Sequence, residues 1–431
     1  MVDFPATAGS REFDRSEVSD GVTVTVVGID GDALPPAASA VVERAEVVVG
    51  DRERLARHAP DGALAVGLDP LPPALDEVER AAGAGQPVAV LVAGDPGLDV
   101  VLRALRARGL RPAVVPTVST VRRLLARLGR PADDVVVVSA HGRDATRALN
   151  VCRARPSVAV LTAPGAGPAE IGAGLVGWRR TLVVVEDLGG ERERVVSVDP
   201  EEAARRTWSD PGVLLCLADP DALAPLAWHA GGEPTPPAGG WALPEDAFAH
   251  RDGMVTPAEV RAVALARLAP RPGELVWDVG AGSGAVAVEC ARMGAAVIAV
   301  ERDPVQCVRV VANAGTHQVD VRVVEDEAPR GFAGLPRPDA VFVGGGGPEV
   351  VAACADLGAD RVVVALSAFD RLGSTRDVLR AAGYQVAGCQ ISVSRMAELS
   401  GDPTGATTGL TATNPVFLIW GAGRNDQRGT P

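Results

Sequence analysis

Two glycine turns, each closing a β-branched run, carry the residue types best suited to hold a small molecule. The sharper lies in ELVWDVGAGSGAVAVECARMGAAVIAVERD, where Asp278 precedes the turn Gly280-Ala281-Gly282-Ser283-Gly284 and an apolar helical stretch follows. Glycines there let the backbone bend tightly and approach a ligand with no Cβ in the way. Glu301 ends the next apolar run, where a carboxylate can take both hydroxyls of a ribose. The glycines fall as G-x-G-x-G, not as the G-x-G-x-x-G of a dinucleotide fold, whose helix N-terminus faces a pyrophosphate. S-adenosylmethionine has no phosphate and presents a cationic amino acid end, which suits Asp278. The expectation is a site for that methyl donor; the plain alternative is a tight strand-to-helix turn with no ligand.

The other turn is VAGDPGLDVVLRAL, in which Gly94-Asp95-Pro96-Gly97 joins an apolar run to a helical one. Asp95 can cap the helix or bind a ligand amine, and capping is the commoner role. Gly28 ends an earlier run, VTVVGID, and PTVST reads as a capped helix start at Ser119 and Thr120. SAHGRD sets His141 and Arg143 after a strand end, the edge at which open α/β sheets bind ligands. Six cysteines stand singly and five histidines show no ligand spacing, so no metal is expected; free thiols in a reducing, cytoplasmic compartment are.

The elements that must position these residues alternate along the chain. VTVTVVG, PVAVLVAG, DDVVVVS, SVAVLT, TLVVVE and GVLLCLA read as buried strands, while LDVVLRALRARG and STVRRLLARLGR read as helices ending at glycine. WHAGGEPTPPAGGWALP breaks the pattern, and a second series follows: helix PAEVRAVALARLA, then strands ELVWDVG, AAVIAVE, VRVVE, DAVFVGG and RVVVALS. QVAGCQISVSR and NPVFLIWG read as antiparallel strands closing the second sheet. Mainly parallel sheets covered on both faces are expected. The divisions read as a disordered stretch over 1–20, one domain over 21–225, a Gly/Pro linker over 226–245, a second domain over 246–422 and a frayed tail over 423–431. Each half has its own alternation and so its own expected core.

Composition narrows the chemistry. The chain has 431 residues, a formal charge of −13 and 47% hydrophobic residues, so it can build sizeable cores. All 42 basic residues are arginine, which excludes a Schiff-base lysine and a Walker-type phosphate loop. Acidic charge and 3% aromatic residues argue against nucleic acid as a partner. The first twenty residues lack the apolar stretch of a signal peptide, and no long apolar window suggests a membrane span. A base-modifying N-methyltransferase carries an Asn-Pro-Pro-Tyr type motif after its fourth strand; this chain has FVGGGGPE there, and Asn414-Pro415 comes much later.

Taken in order, VVGID, AGDPG, PTVST, SAHGRD and LTAPG resemble the tetrapyrrole (corrin and porphyrin) methylases, whose fold has two α/β lobes around the donor. DGMVTPAEVRAVALARLAPRPGELVWDVGAGSGAVAVE, AVERDP, EDEAP and PDAVFVGGGG resemble the decarboxylating precorrin methyltransferases, with a Rossmann-like class I methyltransferase fold. The fusion in this order is similar to the precorrin-6Y methyltransferase family of cobalamin synthesis, over about residues 20 to 422. The resemblance implies methylation of carbons 5 and 15 of the macrocycle and decarboxylation of the ring C acetate, giving precorrin-8. It implies two S-adenosylmethionine sites: Gly28, Gly94, Asp95, Ser119 and Thr120 at the first, and Thr256, Gly280, Ala281, Gly282, Ser283, Gly284, Glu301 and Ala328 at the second.

Three positions depart from the family pattern: Ile29 after Gly28 where a second glycine is common, Pro257 where lysine is frequent, and Ala365 where asparagine is frequent. A polyanionic tetrapyrrole substrate on an acidic protein calls for local arginines, since guanidinium pairs carboxylates bidentately. His141, Arg143, Arg251 (beside His250) and Arg395 are the substrate-cleft candidates. A homo-oligomer is expected. The alternative reading is a methyltransferase on RNA or another small metabolite, with the first block an inactive tetrapyrrole-binding scaffold.

Overall fold

The computed structural model describes residues 23–29, 34, 36–140, 144–190, 192–209, 212–220, 240–251, 253–398 and 408–424. His141, Arg143, the expected disordered stretch over 1–20, most of the expected linker and nearly all of the tail lie outside them. The described chain forms two compact units. The first takes the residues up to Pro131 together with Val185–Arg194; the second takes Ala132–Val184 and the residues from Val195 onward.

The first unit holds β1 (Val24–Ile29), β2 (Val47–Gly50), β3 (Leu64–Gly67), β4 (Val88–Ala93) and β5 (Ala113–Val115), ordered β3-β2-β4-β1-β5 and parallel throughout. Alternate residues enter different cores: Val24, Val26, Val88 and Val90 in one, Val27, Ile29, Ala89 and Leu91 in the other. This is the two-period of a strand buried on both faces. Helices Val100–Ala107 and Thr120–Arg127 start on the caps Asp99 and Ser119. Arg127 pairs with Glu193 and Arg123 donates to the Leu188 carbonyl, which binds Val185–Arg194 to the second of these helices.

The second unit contains a further five-stranded sheet and a seven-stranded one. β6 (Val136–Ser139), β7 (Ser157–Leu161), β8 (Arg180–Glu186), β9 (Arg194–Val198) and β10 (Val213–Ala218) are ordered β6-β7-β10-β8-β9. Mainly parallel sheets are what the chain forms, and β6 and β7 are parallel here too, but within this sheet β10 departs from that expectation and runs antiparallel to both β7 and β8. Sequence alternation gives burial, not direction, and β8 and β9 are joined without a helix.

β11 (Leu275–Val279), β12 (Ala296–Glu301), β13 (Arg322–Glu325), β14 (Ala340–Val343), β15 (Arg361–Leu366), β16 (Tyr384–Ile391) and β19 (Val416–Arg424) form the other sheet, ordered β13-β12-β11-β14-β15-β19-β16. β11 to β15 are parallel, and β19 is antiparallel to β15 and β16. Leu275, Trp277 and Val279 face one core and Val276 the other. A separate ribbon of β17 (Ser394–Glu398) and β18 (Thr408–Ala412) interrupts the stretch read as a single strand.

The break between units does not fall at the Gly/Pro stretch. Trp178, buried two residues before β8, packs in the same core cluster as Leu275, Trp277, Ile298 and Val341. Arg180 donates to Asp320 at 2.8 Å with both side chains buried, and Asn150 Nδ2 donates to the Gly273 carbonyl at 3.2 Å. The lobe containing β6–β10 is thus packed on the β11–β19 domain.

Candidate functional site

In the first unit the structure brings the expected residues together at the carboxyl ends of β1 and β4. A Cβ on Gly28 would stand 2.5 Å from the Gly94 carbonyl oxygen and 3.0 Å from Thr117 Cγ2. Gly94, at φ +62°, lies against Thr120, with 3.1 Å from its would-be Cβ to the Thr120 amide nitrogen. Backbone here meets backbone, so any side chain would force the two turns apart. Ile29 holds the turn through its carbonyl, which accepts from Gly94 N at 2.8 Å, so the missing second glycine leaves the approach intact. Ser119 Oγ accepts from Arg122 N at 3.2 Å as a helix cap, and Asp95 accepts from Gly97 N at 2.8 Å. The local role read for Asp95, capping, is the one observed.

In the second unit, Gly280, Gly282 and Gly284 have φ of +68°, +55° and +77°. Gly280 packs on Gly345 and Gly284 on Val310, whereas a Cβ on Gly282 would meet nothing within 4 Å. The turn is therefore closed at its ends and open in the middle, where a ligand would lie. Glu301 accepts from Gly282 N through Oε2 at 2.8 Å and from Asp303 N through Oε1 at 2.9 Å. Asn313 donates to the Ser283 carbonyl at 2.8 Å. Ala328 follows a turn held beside β12 by the bond from Asp326 N to the Glu301 carbonyl at 3.1 Å.

Asp278 is buried beneath this turn. Its Oδ2 accepts from Ala287 N at 2.9 Å, while Oδ1 is buried with no partner among the described residues. Burial pushes its carboxyl up to about 7; the Ala287 N–H works against that, and the Glu301 charge adds to it. A buried carboxyl with a spare oxygen under an open glycine turn fits a cationic ligand group.

Thr256 is half-buried in the segment before helix Ala258–Leu268, and its position depends on residues that sequence reading missed. Arg261 and Glu289, both fully buried, pair at 2.7 Å. Arg261 also donates to the Thr256 and Leu243 carbonyls, and Glu289 accepts from the Ala242 and Leu243 amides. This network fastens the end of the expected linker and the Thr256 segment to helix Ala285–Arg292, which follows the glycine turn. The sequence signal was a charge set inside the apolar run of each helix, Arg261 after Val260 and Glu289 between Val288 and Cys290.

The arginine candidates divide. Arg395 is held by Glu245 at 2.5 Å and Glu259 at 2.6 Å, which fastens β17 to the segment before Thr256 rather than leaving the guanidinium for a substrate. Burial opposes ionisation of Glu245, yet the Arg395 guanidinium and the Ala258 N–H hold its carboxyl down at about 2. Arg251 is exposed and reaches Met254 Sδ at 3.5 Å, while His250 Nδ1 accepts from Gly253 N at 3.2 Å. Ala365 is half-buried against an apolar core, and Pro257 supplies the extended residue before helix Ala258–Leu268.

A seven-stranded sheet whose one antiparallel strand, β19, lies between β15 and β16, with an open glycine turn after β11 and an acid at the end of the neighbouring β12, defines a Rossmann-like class I methyltransferase, here fused to a second α/β module with a glycine cradle of its own. Residues 23–204 match the tetrapyrrole (corrin/porphyrin) methylases, and residues 246–422 match the precorrin methyltransferase domain. A precorrin-6Y C(5,15)-methyltransferase (decarboxylating) from Sinorhizobium is 37% identical over 346 residues, covering 77% of this chain and 80% of the relative. One from Mycobacterium tuberculosis is 31% identical over 419 residues, 91% of this chain and 98% of the relative. A probable cobalt-precorrin-6B C(15)-methyltransferase (decarboxylating) from Pyrobaculum calidifontis is 35% identical over 187 residues, 41% of this chain and 93% of the relative. The chain belongs to the precorrin-6Y C(5,15)-methyltransferase (decarboxylating) family.

Proposed function

We propose that the chain methylates precorrin-6Y at carbons 5 and 15 and removes carbon dioxide from the ring C acetate, giving precorrin-8 in cobalamin biosynthesis, with a separate S-adenosylmethionine site in each unit. The observation that carries the two-site reading is that each unit has its own glycine cradle, Gly28–Gly94–Thr120 in one and Gly280–Gly284 with Glu301 in the other. The Pyrobaculum relative carries carbon-15 methylation and decarboxylation in its name, and 187 residues of this chain cover 93% of it, which supports keeping those two reactions in one half. By the family resemblance that half is residues 246–422, leaving carbon 5 to the first.

S-adenosylmethionine supplies a methyl group activated by a sulfonium when bound. The chain's own part is placement. Gly282 leaves room for the ligand, the Glu301 oxygens keep lone pairs for ribose hydroxyls, and the spare Asp278 oxygen suits an ammonium. A macrocycle carbon between reduced pyrrole-type rings is enamine-like and needs alignment more than a base; near-attack geometry can supply on the order of 7–11 kcal/mol. The electrons left by departing carbon dioxide need a sink, which a protonated imine of the macrocycle provides. Cytoplasmic residence belongs to this reading, and the six free cysteines suit a reducing compartment.

The test is mass spectrometry of the product from precorrin-6Y and isotope-labelled donor. Two labelled methyl groups gained and one carbon dioxide lost is the expected result. A product with one methyl group, or with its acetate intact, overturns the reading.

A further inference from the structure

Beside the second glycine turn lies a cleft of about 210 Å³, lined by Gly344–Gly347, Ser367, Arg371 and Thr375 among others. It sits where β14 and β15 end, the edge at which open α/β sheets receive ligands. The glycine run brings it against the donor turn, since a Cβ on Gly280 would stand 2.8 Å from Gly345 Cα. Arg371 donates through Nη1 to the Gly346 carbonyl at 3.1 Å; the other guanidinium donors have no partner among the described residues. Glu349 folds back over Gly347 and forms no ion pair with Arg371.

Phe369 stands in the same turn as Arg371 and is 71% exposed, in a chain that is 3% aromatic. Its ring packs edge-on to Phe417 at 5.8 Å, so it is braced in that exposed position. A single exposed apolar side chain is ordinary on a protein surface; what sets Phe369 apart is its place, braced by Phe417 and two residues from an arginine that lines the cleft. A braced aromatic beside a guanidinium with unused donors suits a flat, largely apolar ligand edged with carboxylates.

Resting on the function proposed above, we infer that Phe369 packs against the face of the tetrapyrrole at the second donor site and that Arg371 binds one of its peripheral carboxylates in the cleft. That carboxylate is one the product keeps. A guanidinium on the departing carboxylate would stabilise the ground state and slow the loss of carbon dioxide. The volume suits a single carboxylate arm, while the macrocycle stays outside over Phe369.

Steady-state kinetics of the full chain, following carbon dioxide release from precorrin-6Y, tests this. Arg371→Gln should raise KM for the macrocycle by about tenfold, the scale of one charge-assisted bond, Phe369→Ser should raise it by about tenfold, the scale of a lost aromatic contact, and Arg371→Lys should recover part of the Arg371→Gln loss. Calorimetric Kd for S-adenosylhomocysteine should stay unchanged in all three. KM values unchanged in both loss variants overturn the inference. So does a weakened donor Kd that accounts for the lost activity, because Arg371 would then act only by holding the glycine run. If the unsubstituted chain fails to turn over precorrin-6Y, the proposed function falls and the inference with it; turnover with unmoved KM sinks the inference alone.

Discussion

At Gly282 the backbone turns through φ +55°, and the space a side chain would enter is empty of protein. A valine there meets no neighbour in the fold, but it must adopt a left-handed backbone, a strain of about 1–3 kcal/mol, and it fills the donor's place. Gly282→Val should therefore fold with a lowered Tm, keep the first methylation, and lose the second methylation together with carbon dioxide release; thermal melting and product mass spectrometry read both. Asp278 gives a prediction in pH. Its folded value of about 7 lies above the usual ~3.9 of an unfolded aspartate. The protonated carboxyl thus favours the folded state most fully below the unfolded value, and that contribution is lost as pH rises through 7. A donor ammonium favours the ionised form, so S-adenosylhomocysteine should bind the second site more tightly at pH 8 than at pH 6, with a slope approaching about tenfold per unit on the acidic side. Asp278→Asn should flatten that slope in calorimetry; an unaltered slope would assign the titration elsewhere. The glycine spacing and the two acids were legible in the sequence because turn geometry is local. The commitment of Arg395 was not, because its partners lie 136 and 150 residues away.

Elements show the same contrast between local and distant signals. Strands β1, β4, β7, β11, β12, β14 and β15 were readable because a strand buried on both faces is apolar at nearly every position. The antiparallel placement of β10 was not, since pairing direction leaves no mark on a fully buried strand. The β17–β18 ribbon was hidden for the opposite reason: Met396 and Leu410, cross-strand partners, are exposed, so the segment lacks the burial pattern of a sheet. The element whose anchorage matters most to the second site is helix Ala258–Leu268, held to helix Ala285–Arg292 by Arg261 and Glu289. Breaking a buried pair from one side leaves an uncompensated charge and costs about 3–5 kcal/mol, whereas replacing both partners by apolar residues is often neutral. Arg261→Met should therefore lower Tm sharply and weaken donor binding, and Arg261→Met with Glu289→Leu should regain most of the Tm. Donor binding should recover less, because the Leu243 and Thr256 carbonyls and the Ala242 and Leu243 amides lose their partners. Calorimetric melting of both variants checks the expected order.

Across the whole molecule, the Gly/Pro stretch marks where the covalent chain can be cut, not where packing ends. Each half was expected to hold its own core, and each sheet does have one, but Trp178 of the lobe before the linker is buried against β11, β12 and β14 of the domain after it. Arg180 and Asp320, 140 residues apart, pair at 2.8 Å within the same contact, and Asn150 reaches the Gly273 carbonyl. No composition shift announces such a surface, because its residues are ordinary members of a helix–strand series until the two domains meet. Cleavage between Gly231 and Gly240, in a stretch outside the described residues, should accordingly leave the two fragments associated and co-eluting on size exclusion at low salt and micromolar concentration. Trp178→Ala removes a large buried apolar contact, a change that costs about 3–5 kcal/mol in a core, and should release them. Asp320→Asn should do so more weakly, leaving the buried Arg180 guanidinium with its bonds to the Cys152 and Arg153 carbonyls but without its counter-charge. Fragments of the unsubstituted chain that separate cleanly after cleavage would show that this contact is too weak to hold without the tether, and the two halves would then be independent machines joined only by the chain.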